Sequence, residues 1–196
     1  TAQVASSGTT NAATFTISRT GDLVHRMYAT VTAAATSGVK NAGAALLQEV
    51  SVEIGGQQID KHYAQWLEIW AELTEPNPTG AKDTTLFQKM SCMGGVTTGI
   101  VLTSDEVAVP LQFWFNRNPG LALPLIALQY HEVKVVMKIG NETVVGQIAN
   151  NTGTTEVQLW ADYIYLDTDE RRRFAQVSHE YLIEQLQHNS LSATDT

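Results

Sequence analysis

Five histidines are the first residues to test for chemistry, because imidazole is a common metal ligand and general base. No two of them are spaced two or four residues apart, as paired ligands on one strand or helix face would be. His131 and Glu132 are adjacent, so on a strand they would point to opposite faces. His179-Glu180 lacks the second histidine of a zinc-protease motif. The sequence therefore predicts no metal site and structural roles for His25, His62, His131, His179 and His188.

The acidic and nucleophilic residues do not form a catalytic pattern either. Glu68 and Glu72 are four residues apart, which is the polar face of an ordinary amphipathic helix. The single cysteine, Cys92, lies in an apolar stretch that ends in glycine, so we interpret it as a small buried hydrophobe. The sequence contains no Gly-x-Ser-x-Gly elbow and no phosphate-binding loop. We predict that the protein is not an enzyme and has no cofactor.

Three adjacent arginines, Arg171, Arg172 and Arg173, could grip phosphate. They follow acidic residues in a short predicted helix, and they lie late in it, where cations suit the helix dipole. The whole chain carries a formal net charge of −8, which argues against binding a genome. We therefore predict a structural or subunit-interface role for the three arginines and no direct contact with nucleic acid.

Two short patterns match the acceptor site for N-linked glycosylation. They are Asn141-Glu-Thr143 and Asn150-Asn-Thr152, and both lie in or beside a polar stretch. Asn141 and Asn150 are thus the candidate glycosylation sites.

The length and composition are typical of one domain with its own hydrophobic core. The chain has 196 residues, and only 16% of them are charged, below the usual quarter. This low charge favours a surface that is partly covered by other chains. No apolar run approaches the roughly 20 residues of a membrane helix.

Period-two alternation of apolar residues is the dominant pattern, and it places alternate side chains on opposite faces of a sheet. It predicts eight strands, over Ala13–Thr20, Leu23–Ala33, Leu46–Ile54, Gln57–Ile59, Val107–Phe115, Leu128–Ile139, Val157–Leu166 and Tyr181–Leu186.

Helices are predicted only in the connections between strands. The clearest covers Asp60–Leu73, with Asp60 as its cap and an apolar face that ends at Leu73. Shorter helices are predicted over Thr84–Met90 and Thr168–Ala175, and a single helical turn over Leu121–Ile126. Antiparallel strands with helical connections predict an all-β protein that closes as a two-sheet sandwich or barrel.

Four stretches together resemble the major capsid protein of the nucleocytoplasmic large DNA viruses, the group of the chlorella viruses and iridoviruses. In order along the chain they are Ser18–Leu23, Val52–Tyr63, Val109–Val133 and Trp160–Gln185.

This resemblance implies an eight-stranded antiparallel jelly-roll sandwich that forms the first half of a double jelly roll. Residues 1–187 would be the N-terminal jelly-roll domain, and residues 188–196 a linker or tail toward a second jelly roll. The family's segment before Thr1 and its second jelly roll are not in this sequence, so we expect a fragment of a longer capsid protein.

The resemblance also implies a structural role in the virion. Three protomers would form a pseudo-hexagonal capsomer, and these capsomers would tile an icosahedral shell over an internal membrane that the protein does not span. Partners would be other copies of the chain, minor capsid proteins and penton proteins, with assembly in the host cytoplasm. Contacts are expected in the loops Ala34–Ala44, Thr74–Thr85 and Gly140–Thr155.

Two other interpretations of a jelly roll remain open. A cupin-type enzyme would need a bound metal. A carbohydrate-binding module would need aromatic side chains exposed on loops or on a concave face. The four tryptophans lie in a predicted helix or in predicted strands, where core packing explains them; they are Trp66, Trp70, Trp114 and Trp160.

Overall fold

The computed structural model describes residues 2–7, 10–32, 41–80, 85–94, 106–140 and 156–189. Its strands are β1 (Ala2–Ser7), β2 (Thr10–Thr16), β3 (Leu23–Thr32), β4 (Leu47–Ile54), β5 (Gln57–Tyr63), β6 (Glu106–Pro110), β7 (Leu123–Pro124), β8 (Val133–Ile139) and β9 (Glu156–Ile164). Its helices are α1 (Ala42–Leu46), α2 (Ala64–Thr74), α3 (Leu86–Ser91), α4 (Trp114–Arg117) and α5 (Thr168–Gln176), with a 3₁₀ turn over Pro119–Leu121.

The strands form two antiparallel sheets. The first has the order β1-β2-β8-β4-β5. In the second, β3 is central: residues 28–32 of β3 pair with β6 on one side and with β9 on the other. The short strand β7 pairs with Leu23 and Val24 at the start of β3. The predicted all-β sandwich with short connecting helices is confirmed.

The core lies between the inner faces of the two sheets. On β8 the buried residues alternate with half-buried ones, as a strand with one face inward requires. Val135 and Met137 of β8 are fully buried, as are Ala29 and Val31 of β3. Phe113 and Phe115 add two aromatic rings that no solvent reaches. Burying a side chain of this size contributes about 1.5–3 kcal/mol, so this interface provides most of the stability of the fold.

The turn between β4 and β5 is set by two glycines. Gly55 and Gly56 both have positive φ angles, 62° and 82°, which is the backbone of a tight two-residue hairpin. A Cβ atom on Gly55 would lie 2.7 Å from His131 Nδ1, so the exposed His131 side chain would have to shift for a larger residue there.

The predicted helix over Asp60–Leu73 is wrong at its start. Strand β5 continues through Asp60 to Tyr63, and α2 begins at Ala64. Asp60 does not cap the helix; it lies buried on the inner side of β5, in register with Val52 of β4. The sequence pattern did not indicate a strand here, because the two buried residues of this stretch, Asp60 and His62, are polar.

Three predicted strands also differ from the structure. β6 ends at Pro110, and the chain then turns into α4, although Leu111, Phe113 and Phe115 are all buried. The strand predicted from Leu128 begins at Val133, because residues 125–131 form successive turns. The predicted strand Tyr181–Leu186 is absent: residues 178–189 contain no regular secondary structure.

The helical turn predicted over Leu121–Ile126 is displaced toward the N-terminus. The 3₁₀ turn covers Pro119–Leu121, and β7 follows it. No helix among the described residues is long and apolar enough to cross a membrane.

Candidate assembly surface

Asp22, directly before β3, holds helix α5 against the sandwich. One of its carboxylate oxygens, Oδ2, accepts hydrogen bonds from the Leu166 amide at 2.8 Å and from Arg171 Nη2 at 2.9 Å. The Leu166 hydrogen bond and then the Arg171 guanidinium lower the pKa of the Asp22 carboxyl below its usual value of 3.8. The carboxylate thus stays charged at neutral pH and fixes α5 through Arg171.

The other two predicted arginines point elsewhere. Helix α5 has no buried residue, and Arg172 and Arg173 are exposed along it. Among the described residues neither of them makes an ion pair, whereas Arg171 pairs with Asp22. Successive helical residues are rotated by about 100°, so Arg172 and Arg173 lie on sides of α5 other than the one that meets Asp22. The subunit-interface role predicted for the three arginines stays a prediction.

After α5 the chain continues as residues 177–189, which we call the C-terminal strap. The strap crosses β5, where the Leu186 amide donates to Asp60 Oδ1 at 3.1 Å and Gln185 Nε2 donates to the Ile59 carbonyl. The ring of His188 packs against Tyr63 with a centroid distance of 4.5 Å. A segment without secondary structure is therefore held by polar anchors at defined points.

The anchor at Asp60 belongs to a buried pair. Asp60 Oδ2 lies 3.1 Å from His62 Nε2, and both side chains are almost completely excluded from solvent. The His62 ring also stacks on Phe113 with a centroid distance of 4.4 Å. The sequence analysis missed this pair, although the spacing of two residues on a strand is the signal that places both side chains on one face.

Arg117 provides a second anchor for the strap. Its Nη1 lies 2.8 Å from Glu184 Oε2, and its Nη2 donates to the Gln112 carbonyl at 3.0 Å. The guanidinium lies over the ring of Trp70, 4.3 Å from the centroid, which is cation–π geometry. Arg117 thus connects α4, α2 and the strap.

Helix α2 exposes large apolar side chains on one side. Leu67 and Ala71 are buried against the sandwich. Ile69 and Leu73 are 50% and 78% exposed, and the exposed Glu72 lies beside Leu73 on the same side. The prediction that Leu73 lies on the buried face of this helix is wrong. We call Ile69, Glu72 and Leu73 the α2 face.

The sequence analysis predicted that all four tryptophans pack in the core, and this prediction is wrong. Trp114 is buried, but Trp160 on β9 is 50% exposed. Its ring stacks beside Tyr28 of β3, and its Nε1 donates to Thr30 Oγ1 at 3.1 Å. Trp160 therefore lies on the outer face of the second sheet, where both its ring and its Nε1 contact β3.

The remaining candidate residues are scattered. Within the described ranges no group of three or more His, Cys, Asp or Glu side chains could hold a metal ion. Cys92 is buried, as predicted. Of the histidines, His25 and His62 are buried and His131, His179 and His188 are exposed. The glycosylation candidates Asn141 and Asn150 lie outside the described residues.

Residues 2–167 match the family model of the major capsid protein N-terminus. The chain is 55% identical over 176 residues to the major capsid protein of Pyramimonas orientalis virus, covering 87% of this chain and 44% of that protein. It is 45% identical over 150 residues to the major capsid protein of Paramecium bursaria Chlorella virus 1, covering 72% of this chain and 32% of that protein. The chain thus spans less than half the length of these relatives.

Solved structures agree with the sequence comparison. A chain of the PBCV-1 virus capsid superposes with a TM-score of 0.78 at 40% identity, over 95% of this chain and 46% of that one. The Faustovirus major capsid protein, at 12% identity and a TM-score of 0.59 over 85% of this chain and 54% of that one, shares the fold. These relatives are structural capsid proteins rather than enzymes, in agreement with the prediction from the sequence. The chain therefore has the jelly-roll fold and belongs to the major capsid protein family of the large DNA viruses.

Proposed function

We propose that this chain is the first jelly roll of a capsid protomer, and that three protomers form a pseudo-hexagonal capsomer that tiles an icosahedral shell. The observation that carries the proposal is the similarity to a chain of the PBCV-1 virus capsid over 95% of the residues. Residues 1–187 would form the jelly-roll domain, and residues 188–196 would lead toward a second one. The large share of that capsid chain beyond the match supports this arrangement.

The surface of the sandwich supports a role in assembly. Helix α5 has no buried residue, and α2 exposes the apolar side chains of Ile69 and Leu73. Both features would be explained by contact with other protein surfaces in a shell, whose strength is the sum of many modest interfaces.

The experiment is to express the complete viral gene that encodes this sequence and to measure the mass and oligomeric state of its product. We expect a polypeptide more than about twice as long as this chain, from the shares of the relatives that it covers, that purifies as a trimer with a hexagonal outline in electron micrographs. A natural product that ends near Thr196 and stays monomeric would contradict the proposal.

The remaining partners follow from the same proposal. The protomer would meet other copies of itself, minor capsid proteins and penton proteins, and it would lie over an internal viral membrane without spanning it. Assembly would take place in the host cytoplasm. Immunogold labelling of infected cells would test the location, and crosslinking of purified virions would test the partners.

Asn141 and Asn150 are proposed as glycosylation sites on the assembled shell. Peptide mass spectrometry of virion protein tests each asparagine separately, because a glycan adds mass to the peptide that carries it. Unmodified peptides at both positions would contradict the proposal.

One observation favours a second function, carbohydrate binding. The half-exposed Trp160, beside Tyr28 on the outer sheet face, is an aromatic platform of the kind that a sugar ring can stack on. Binding on a glycan array that is lost in Trp160→Ala would support this function, and an array without binding would dispose of it.

A further inference from the structure

We propose that the C-terminal strap is a guard for the free edge of β5: it occupies that edge and prevents another copy of the chain from adding a strand there. Opening the strap would then convert β5 into an acceptor for an extended segment. Such a guard acts within a single copy, so it does not depend on the capsomer proposed above.

Strand β5 lies at one end of the first sheet. It pairs with β4 on one side and, among the described residues, with no other strand. Its seven residues are enough for a stable strand pair. An edge strand presents backbone N–H and C=O groups without ladder partners, and these groups are a template on which another chain can pair. The open side of β5 therefore needs protection.

Charge protects this edge only weakly. Exposed charged side chains, lysine above all, commonly keep edge strands apart. Lys61 is the only Lys or Arg in β5, and its Nζ lies 2.7 Å from Glu49 Oε2 on the neighbouring strand β4. Asp60, the carboxylate of β5, is buried. Neither charge is thus free to repel an approaching strand.

The strap and Asp60 together bond backbone groups of β5 that β4 does not pair. The register between β4 and β5 shifts so that Ile59 has no partner in β4, and the Ile59 carbonyl accepts from Gln185 Nε2 instead. The Lys61 amide donates to Asp60 Oδ1 at 2.8 Å, and the same oxygen accepts from the Leu186 amide at 3.1 Å. Groups that are bonded in this way are not available to a strand from another chain.

The strap covers the edge without extending the sheet. Its contacts follow the order of β5, because Gln185 and Leu186 meet Ile59 and Asp60, and His188 then packs on Tyr63. Residues 178–189 nevertheless contain no regular secondary structure. A paired strand would only move the open edge outward by one strand, whereas an irregular segment held by side chains ends the sheet.

The test opens the strap in the complete gene product and leaves β5 unchanged. The variant Gln185→Ala with Leu186→Pro removes the amide group that binds Ile59 and the backbone N–H that binds Asp60. Losing both hydrogen bonds should raise the population of the open strap about tenfold or more. We expect a similar rise in the fraction of protein that sediments as species larger than the wild-type oligomer at the same concentration.

The matched control is Leu182→Pro with Gln187→Ala, which makes the same kinds of substitution at two exposed positions of the strap. Its sedimentation should equal that of the wild type, and circular dichroism should show native folding for every variant. If the double variant misfolds, Gln185→Ala alone replaces it, and a smaller rise in the same large species is expected because one hydrogen bond is lost.

Hydrogen exchange locates the new contact. In the double variant, amides of residues 177–189 should exchange faster than in the wild type. In its large species, amides of residues 57–63 should exchange more slowly than in its small species, because pairing with a second copy gives them new acceptors.

Each outcome decides for or against the guard. Large species of the double variant with new protection over residues 57–63 support it. Large species protected elsewhere, or equal association of the control, overturn it. A strap that exchanges faster without any association also overturns it, and so does a strap whose exchange is unchanged by the loss of both hydrogen bonds. The oligomeric state of the wild-type product tests the capsomer separately, because a monomeric wild type contradicts the capsomer and leaves these comparisons intact.

Discussion

The sandwich core and the C-terminal region are stabilised by different kinds of interaction. The C-terminal region consists of α5 and the C-terminal strap. In the core, apolar side chains such as Phe113, Val135 and Met137 are fully buried and in contact on all sides. In the C-terminal region every side chain that the structure describes is exposed or half-exposed. That region is held by a few polar contacts, at Asp22, Asp60 and Arg117.

This difference separates the side chains that stabilise the fold from the side chains that remain available to bind partners. Apolar burial of a large side chain contributes about 1.5–3 kcal/mol, whereas an exposed ion pair contributes about 0–1 kcal/mol. We therefore expect the core to fold the sandwich without help from α5. The C-terminal region adds little to that stability, so its exposed arginines and apolar residues are available for contacts with other surfaces.

The largest expected effect is the loss of a core aromatic ring. Phe113→Ala should reduce the free energy of unfolding by about 3–5 kcal/mol, because it removes buried contacts with His62 and Phe115 and leaves a cavity. The control Leu182→Ala, in the strap and 71% exposed, should change it by less than about 0.5 kcal/mol. Urea denaturation measures both. Equal effects would break the distinction between the two regions.

Asp60 is the point where the two regions meet, and its removal should have the next largest effect. Asp60→Ala leaves the buried His62 without its carboxylate partner and the Leu186 amide without its acceptor. We expect a loss of about 2–4 kcal/mol in unfolding free energy, because a buried polar group is left unsatisfied.

Hydrogen exchange provides the regional measurement for Asp60→Ala. The Leu186 amide should exchange faster in the variant, and so should the amides of α5 if the strap and the helix open together. The control Glu180→Ala removes an exposed carboxylate of the strap and should leave stability and exchange unchanged. A variant as stable as the wild type, with a protected Leu186, would show that the strap is anchored by something other than Asp60.

Asp22→Asn should have a smaller and local effect. It removes the charge that pairs with Arg171, while the amide oxygen can still accept from Leu166. We expect a loss of about 1 kcal/mol or less, since Arg171 is half-exposed, together with faster exchange in α5 and unchanged exchange in β3 and β8. Faster exchange throughout the sandwich would mean that α5 is part of the core unit.

Acid should reproduce the Asp22 substitution in the wild-type protein. The pKa of Asp22 is lowered in the folded state, so the unfolded chain binds more protons as the pH falls. The stabilisation from this carboxylate is present above its usual value of 3.8 and is lost as the pH falls through the folded-state pKa. The Asp22→Asn variant should lack this component of acid destabilisation.

The sequence predicted the sandwich well because alternation is a direct consequence of strand geometry. The pattern located β3, β4, β8 and β9 to within a few residues, except for the N-terminal extension of β8. It failed at Asp60 and His62, since inward polar residues break the alternation of apolar and polar positions. It also failed at Tyr181–Leu186, where the side chains alternate but the backbone pairs with no strand. There the Leu186 amide donates to the Asp60 side chain, and the Gln185 side chain donates to the Ile59 carbonyl.

The candidate surface was only partly predictable. The arginine cluster was visible as a run of three charges, but its division into an anchor, Arg171, and two outward residues depends on Asp22, which is 149 residues away in the sequence. The exposure of Leu73 and Trp160 could not be inferred, because an apolar residue on a helix or strand fits the core pattern equally well. Only the packing of the other elements decides which side is left open.

The smallest expected effect concerns His25, a polar residue within the core itself. Burial lowers the pKa of His25, the Arg26 charge lowers it further, and Asp162 partly opposes both. Between the folded-state value and the usual 6.5 the unfolded chain binds more protons, so stability should rise with pH across this range. His25→Leu should remove this slope, and it should cost little at pH 5 because His25 Nε2 is buried without a hydrogen-bond partner. Urea denaturation of both proteins at pH 5 and pH 7 measures the difference. An unchanged slope in His25→Leu would show that the pH sensitivity between pH 5 and pH 7 does not come from His25.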